Sequence, residues 1–200
     1  KAMKETKIAV ILAGDSKSLS SKKVRNRYAL RLNNLTIIEK AVKKLGDSGF
    51  KTIYIIADHN TLTNIFKIIE DGSNYNVKIE FVNEENSEGS ASALKLLKGT
   101  IKTTFLVVQC DLVFSHINLL ELWQQHLQNK NIITLLASSI IIPGNKILYG
   151  HLKMHGNQIL SYIEKPAPKK IESSIIFGGI FVAEPEIFSY PGKSLEFDVF

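Results

Sequence analysis

The 200-residue chain has one cysteine, Cys110, one tryptophan and five prolines. A lone cysteine makes no internal disulfide, which excludes a disulfide-stapled scaffold and agrees with a reducing, cytoplasmic setting. No apolar stretch approaches the roughly 18 to 20 residues needed to cross a bilayer, so no membrane partner is expected. Lys1, Lys4 and Lys7 before Ile8 to Ala13 faintly mimic a secretory leader, but the apolar segment is too short and no small-residue cleavage pattern follows. That segment reads as a first strand. Acidic residues are missing from one whole stretch: Ser16 to Ile38 holds Lys17, Lys22, Lys23, Arg25, Arg27 and Arg31 with no Asp or Glu. Such a run attracts anions or is a solvated basic loop. Nucleic acid is not the expected partner, because only Tyr28 interleaves with the charges and no recognised nucleic-acid-binding motif is present.

What is present is a rhythm. With 44% hydrophobic and 22% charged residues, the composition is that of a globular domain. Lys7 to Leu12 is a continuous apolar run, as in a strand buried on both faces, and it ends at Ala13-Gly14. Thr36-Ile37-Ile38-Glu39 has capping-box spacing, and Ile38, Ala41, Val42 and Leu45 continue at helical intervals to Gly46. Strand Thr52 to Ala57, helix Thr61 to Glu70, strand Val77 to Val82, helix Ser90 to Lys98 and strand Thr104 to Gln109 follow. Helix Ile117 to Gln128 and strand Ile132 to Ser138 complete this half. Parallel strands need long crossovers, so the alternation predicts βαβ units and a doubly wound sheet. Beyond Pro143-Gly144 the pattern becomes hairpin-rich, with His151 to Met154 and Ile159 to Ile163 around His155-Gly156-Asn157, then strand Ile175 to Ala183. Pro185 to Ser189 and Ser194 to Phe200 read as short helical turns. The predicted class is α/β, a Rossmann-like three-layer sandwich with a mainly parallel mixed sheet. One domain, 1–200, is expected, with an alternating half at 1–138 and a hairpin-rich half at 139–200; the family resemblance set out below implies that the first binds nucleotide and the second sugar.

Pockets in such folds open beyond the carboxyl ends of the parallel strands, which places Gly14, Glu84 and Asp111 around one crevice. Gly14 lets the backbone approach a phosphate or base closely, or simply turns the chain. Asp111 directly follows an apolar strand, where a carboxylate can hold a hard cation such as Mg2+ or orient the next loop. His59, His116, His126, His151 and His155 have no metal-ligand spacing and read as surface or packed groups. Cys110 reads as a packed thiol, and Trp123 as core with Leu119, Leu120 and Leu127 on one helical face.

Taken in order, Leu12-Ala13-Gly14, Arg27, Asn34 to Glu39, Gly89-Ser90-Ala91, Gln109-Cys110-Asp111, Tyr149-Gly150, Glu164-Lys165-Pro166, Gly178-Gly179-Ile180-Phe181 and Ser194 to Phe200 resemble the landmarks of sugar-1-phosphate nucleotidyltransferases. The resemblance covers nearly the whole chain. It implies a Rossmann-like enzyme in which a sugar 1-phosphate attacks the α-phosphorus of a nucleoside triphosphate and pyrophosphate leaves. By position, Ala13, Gly14, Lys17, Arg27, Glu84 and Gly89 would meet the nucleotide, with Glu84 near the base. Asp111 would hold Mg2+; Gly150, Glu164, Lys165 and Gly179 would meet the sugar phosphate; Arg27, Asp111 and Lys165 would carry catalysis. A second metal-binding aspartate would fall beyond Phe200, so the sugar-binding half is expected to be truncated.

The chain also departs from the family pattern. Asp15-Ser16-Lys17-Ser18-Leu19 stands where the family has a second glycine and a Gly-Thr-Arg segment, Asn26-Arg27 stands for Pro-Lys, and Phe177 for an asparagine. Two rival readings stay open on these departures: a catalytically degenerate nucleotide-sugar-binding or regulatory homologue, and a cytidylyltransferase acting on a non-sugar phosphate. The base, the sugar and the oligomeric state, a homo-oligomer included, are not legible.

Overall fold

The computed structural model describes residues 6–14, 26–139, 149–171 and 173–200. Asp15, Lys17, Lys22, Lys23 and Arg25, and the Pro143-Gly144 turn, lie outside the described residues.

The run Lys7–Leu12 forms β1, and its central residues Ala9 to Ile11 are fully buried because helices cover both faces of the sheet. β2 (Arg31–Leu32) and β3 (Leu35–Thr36) make a small hairpin where the sequence suggested only a loop, and they lead into α1 (Ile37–Asp47). The capping box is present: Thr36 Oγ1 accepts from the Glu39 amide, and the Glu39 carboxylate accepts from the Thr36 amide at 2.7 Å. β4 (Phe50–Ala57) and α2 (His59–Ile69) follow. α2 starts earlier than its apolar periodicity indicates, because Asp58 caps it by accepting from the Thr61 amide and hydroxyl. β5 (Lys78–Asn83), α3 (Ser90–Lys95), β6 (Phe105–Gln109), α4 (Leu119–Asn129) and β7 (Ile133–Ser139) complete the alternating part. α3 stops short of the predicted Lys98 and tightens into successive i→i+3 turns before Gly99, whose φ is +84°.

β5, β4, β1 and β6 are mutually parallel and adjacent. β10 (Ile175–Ala183) runs antiparallel to β6 on one side and to β7 on the other, making the sheet mixed. The hairpin of β8 (His151–His155) and β9 (Gln158–Ile163) joins the sheet where Ile176 pairs with His151. Since β10 meets β6 through Ile180 to Ala183 and β8 only at Ile176, the hairpin sits beyond the carboxyl end of β6. The handover falls at Gly178-Gly179, inside the irregular stretch of β10 between Phe177 and Phe181.

Two apolar layers flank the sheet. One holds Ile38, Val42, Leu45, Ile65, Leu119 and Trp123 from α1, α2 and α4. The other holds Leu94 of α3, Leu97 just after it, Phe181 of β10, and Phe188 and Leu195 from the C-terminal turns. The predicted face of α4 needs correction: Leu119 and Trp123 are buried, but Leu120 and Leu127 are 39% and 50% exposed. At about 100° per residue, positions 120 and 127 lie roughly 80 to 100° away from Leu119, and Leu122 and His126 complete the buried stripe instead. His126 is satisfied there, with Nδ1 at 2.8 Å from Thr134 Oγ1 and Nε2 at 3.0 Å from Glu184 Oε1. Cys110 is buried, as a packed thiol should be. Among the described residues, no helix is long and apolar enough to cross a membrane.

Candidate functional site

Parallel strands deliver their carboxyl ends to one edge, so Gly14, Glu84 and Asp111 arrive together without any long-range coincidence. Backbone bonds hold the ends level: Ala13 N–H donates to Ile56, Glu84 N–H to Ala57, and Cys110 N–H to Leu12. Gly14 has no room for a side chain, because a Cβ there would collide with Glu84 Oε1. The Glu84 carboxylate thus leans over the end of β4 to rest against Gly14, and Ser87 Oγ donates to its Oε2 at 3.0 Å.

On the other side of β1, Arg27 crosses 84 positions of sequence to reach Asp111, with Nη1 donating to Oδ2 at 2.9 Å. Both side chains remain about two-fifths exposed, 42% and 40%. Arg27 arrives there on a single 3-10 turn, Arg27–Ala29, anchored by the buried ring of Tyr28. Of the basic segment, Arg27 therefore meets the carboxylate after β6, while Lys17 lies outside the described residues.

A second cluster, holding Gly150, Tyr162, Glu164 and Lys165, assembles at the base of the β8–β9 hairpin. A Cβ at Gly150 would overlap the Tyr162 hydroxyl, which donates to Glu164 Oε2 at 2.6 Å. Burial pushes the Glu164 carboxyl above its ordinary range and the neighbouring Glu196 adds to this, while the Tyr162 hydrogen bond, Lys165 and His151 oppose it. Burial and the same carboxylate hold the Tyr162 phenol protonated well above its usual range. Lys165, at φ +43°, places Nζ 3.8 Å from Glu164 Oε1, so its nearest charge partner is Glu164 and not Asp111. Gly179, at φ +77°, clears Leu112 Cδ1 and Gln109 Oε1; a Cβ there would lie 2.5 and 3.1 Å from them.

The sequence reading assigned no role to Glu196. Its carboxylate accepts from Ser90 Oγ at 2.7 Å, Ser194 Oγ at 3.0 Å and Gln109 Nε2 at 3.2 Å, joining α3, β6 and the C-terminal turn. The available signal was Gln109, an amide ending an apolar strand and therefore in need of a polar partner. Gly89 sits under this same turn: a Cβ would approach the Lys193 carbonyl oxygen to 2.6 Å. That carbonyl accepts from the Ala91 and Ser92 amides at 2.9 and 3.1 Å.

As to metal, Asp111 is a hard oxygen donor open to water, and no group of three His, Cys, Asp or Glu occurs among the described residues. Such a donor set fits Mg2+, which binds through one or two carboxylates and fills its shell with water and substrate phosphate. It does not fit a structural transition-metal site.

The mixed, mainly parallel α/β sheet with helices on both faces is a Rossmann-like fold, a class whose crevices open at the carboxyl ends of the parallel strands. A family model described as Nucleotidyl transferase matches residues 8–197, and the chain belongs to that family. It is 28% identical over 153 residues to the Bifunctional protein GlmU of Methanococcus maripaludis, covering 76% of this chain and 33% of that protein. It is 23% identical over 163 residues to the mannose-1-phosphate guanyltransferase of Aspergillus oryzae, covering 80% of this chain and 44% of that protein. The chain thus spans less than half the length of these curated relatives. The fold of a UDP-glucose pyrophosphorylase solved with UDP-glucose superposes with a TM-score of 0.73 at 17% identity, covering 95% of this chain and 84% of that one.

Proposed function

We propose that this domain transfers a nucleotidyl group from a nucleoside triphosphate to a sugar 1-phosphate, giving a nucleotide sugar and pyrophosphate. The observation that carries this reading is the contact of Arg27 with Asp111 beside Gly14, which gathers one fixed cation and one metal-ready carboxylate where a triphosphate would cross the strand ends.

A phosphate oxygen of the sugar 1-phosphate attacks the α-phosphorus. The bond from that phosphorus to the α–β bridging oxygen breaks, and its electron pair leaves with pyrophosphate. The attacking phosphate is already ionised, so the step requires no general base and no covalent enzyme intermediate. Catalysis is then alignment and charge compensation. Mg2+, held by Asp111, supplies charge compensation at the phosphates when bound. Arg27 turns its guanidinium fork from Asp111 to phosphate oxygens, a geometry a lysine ammonium does not offer. Lys165 neutralises the sugar phosphate, and Glu164 accepts from sugar hydroxyls, held by Tyr162. Ala13, Gly14 and Gly89 line the nucleotide side together with Lys17. Gly150 and Gly179 keep the sugar side open. In this reading the 1–138 half binds nucleotide and the 139–200 half binds sugar within one domain, drawing on the cytoplasmic triphosphate pool.

The test is to incubate the protein with each nucleoside triphosphate, Mg2+ and a panel of sugar 1-phosphates, and to follow pyrophosphate. Release that depends on a sugar 1-phosphate supports the proposal. Binding of a nucleotide sugar with no pyrophosphate released under any combination replaces it with a binding module, and turnover only with a non-sugar phosphate replaces it with the cytidylyltransferase reading.

A further inference from the structure

A buried carboxylate normally has both oxygens hydrogen-bonded. Glu164 does not. Its side chain is only 9% exposed, and Oε2 accepts from the Tyr162 hydroxyl at 2.6 Å, but the nearest charge to Oε1 is Lys165 Nζ at 3.8 Å, beyond hydrogen-bond range. Among the described residues no buried side-chain oxygen or nitrogen lacks a partner, so Oε1 must reach water. We infer that Tyr162 is a positioning residue for this acceptor: its hydroxyl occupies Oε2 and turns Oε1 outward, so that Glu164 offers a substrate one fixed oxygen. The inference rests on the transferase reading only for the identity of that substrate, a sugar 1-phosphate.

The hydroxyl is held by packing as well as by its bond. The Tyr162 ring meets Phe177 of β10 edge to face at 6.4 Å and 67°, and Phe200 at 5.5 Å and 72°. Phe177 and Phe200 meet each other at 5.3 Å, which closes the aromatic cluster. Gly150 supplies the space: a Cβ there would overlap the Tyr162 hydroxyl and lie 2.6 Å from Glu164 Oε2. With ring and carboxylate both confined, the carboxylate cannot turn its other oxygen to the opening without breaking the Tyr162 bond.

The same contact keeps the group charged. Burial raises the Glu164 carboxyl, and the Glu196 carboxylate of the C-terminal turn adds to this, while the Tyr162 bond, Lys165 and His151 of β8 oppose them. Loss of the hydroxyl removes one opposing influence, so the carboxyl would hold its proton to a higher pH. A protonated Glu164 is no longer a pure acceptor. Alignment and charge therefore both act on the substrate through Glu164.

The experiment compares Tyr162→Phe with the parent as full chains. The variant keeps the ring contacts and should stay folded, melting no more than about 10 °C below the parent. Pyrophosphate release is followed with the parent's best substrate from a panel holding glucose 1-phosphate and mannose 1-phosphate. The KM for that sugar phosphate should rise about tenfold, with kcat and the triphosphate KM within about twofold. The acid limb of kcat/KM for the sugar phosphate should move to higher pH. Placed on Glu164→Ala, the same change should add less than about twofold, because the hydroxyl acts through the carboxylate. Phe200→Leu, which loosens the ring but keeps the hydroxyl, should give a smaller rise in the same KM. A sugar-phosphate KM within about twofold of the parent in folded Tyr162→Phe overturns the inference, as does a full additional loss on Glu164→Ala. Should Tyr162→Phe not fold, an unchanged KM in Phe200→Leu overturns it. If the parent releases no pyrophosphate with any sugar phosphate, the transferase reading falls, and calorimetric binding of the same two sugar phosphates with Mg2+ and triphosphate decides the inference. Weaker binding by Tyr162→Phe then supports it, and equal affinity, or no binding by the parent, overturns it.

Discussion

Removing the Arg27 side chain should separate catalysis from stability. In the structure Arg27 is bonded to Asp111 at 2.9 Å, yet both groups are about two-fifths exposed. Two unit charges near that distance attract by about 1 kcal/mol at the dielectric of water, and ordering two flexible side chains offsets much of it. The net contribution is therefore between about 0 and 1 kcal/mol, and Arg27→Ala should lower the melting temperature by no more than about 4 °C in a chain of this size. Tyr28, whose buried ring anchors the turn, is untouched. In the reaction the same guanidinium meets charge on the transferring phosphorus, where loss of one fixed donor costs roughly 10²- to 10³-fold in kcat. Arg27→Lys should recover part of that loss, because charge returns without the planar fork. The assays are pyrophosphate release under saturating substrates and a thermal melt on the same preparations. A rate for Arg27→Ala within about threefold of the parent would refute the role, and a melting drop beyond about 10 °C would show the pair to be structural.

Glu196→Ala should leave the Ser90 and Ser194 hydroxyls and the Gln109 amide without their shared acceptor, costing about 1 to 3 kcal/mol and roughly 3 to 10 °C in a melt. Because Gln109 faces Gly179, on the side proposed to take the sugar phosphate, the KM for the sugar phosphate should rise more than that for the triphosphate, which steady-state kinetics against each substrate will read. The capping box gives an acid limb to stability. Burial pushes Glu39 up, but bonds from the Thr36 amide and hydroxyl and the Tyr75 hydroxyl outweigh it, leaving the folded group below 4.5. A carboxyl lowered by folding contributes stability above its unfolded value and loses it as pH falls through the folded one. Glu39→Gln should therefore flatten the fall in melting temperature below about pH 4.5; an unaltered acid limb would count against the cap as its source.

The parallel half was legible because its signals are local: an apolar run for each buried strand, a 3.6-residue period for each helix, and a capping box spelled out at Thr36 and Glu39. Topology then follows nearly automatically, and with it the meeting of Gly14, Glu84 and Asp111, since parallel strands leave no choice of edge. The misreadings share one physical origin. Leu120 and Leu127 are apolar yet exposed, and periodicity alone does not say which edge of a broad apolar stripe faces the sheet. The bond from Arg27 to Asp111 and those from Ser90 and Gln109 to Glu196 join segments 84 or more residues apart, and nothing local in the sequence encodes such partners. Gln109 was the one visible clue.

Glu196 and the Lys193 carbonyl also decide how the site handles phosphate. A Rossmann-like site commonly sets phosphate on the amides that open a helix. Here the amides of Ala91 and Ser92 in the first turn of α3 already donate to Lys193 O, and the Ser90 hydroxyl bridges the Leu195 amide and Glu196. Lys95 Nζ closes the same turn on Gly192 O at 2.8 Å. A triphosphate taking those two amides would have to break two backbone bonds first. In the proposed reaction Gly89 therefore lines the nucleotide side without the Ala91 and Ser92 amides, and the phosphate charge falls mainly to side chains and metal. On that proposal Arg27, Lys165 and Asp111 are the described groups assigned to meet it, which is why a single guanidinium, exposed and nearly silent in stability, carries so large an expected share of the rate.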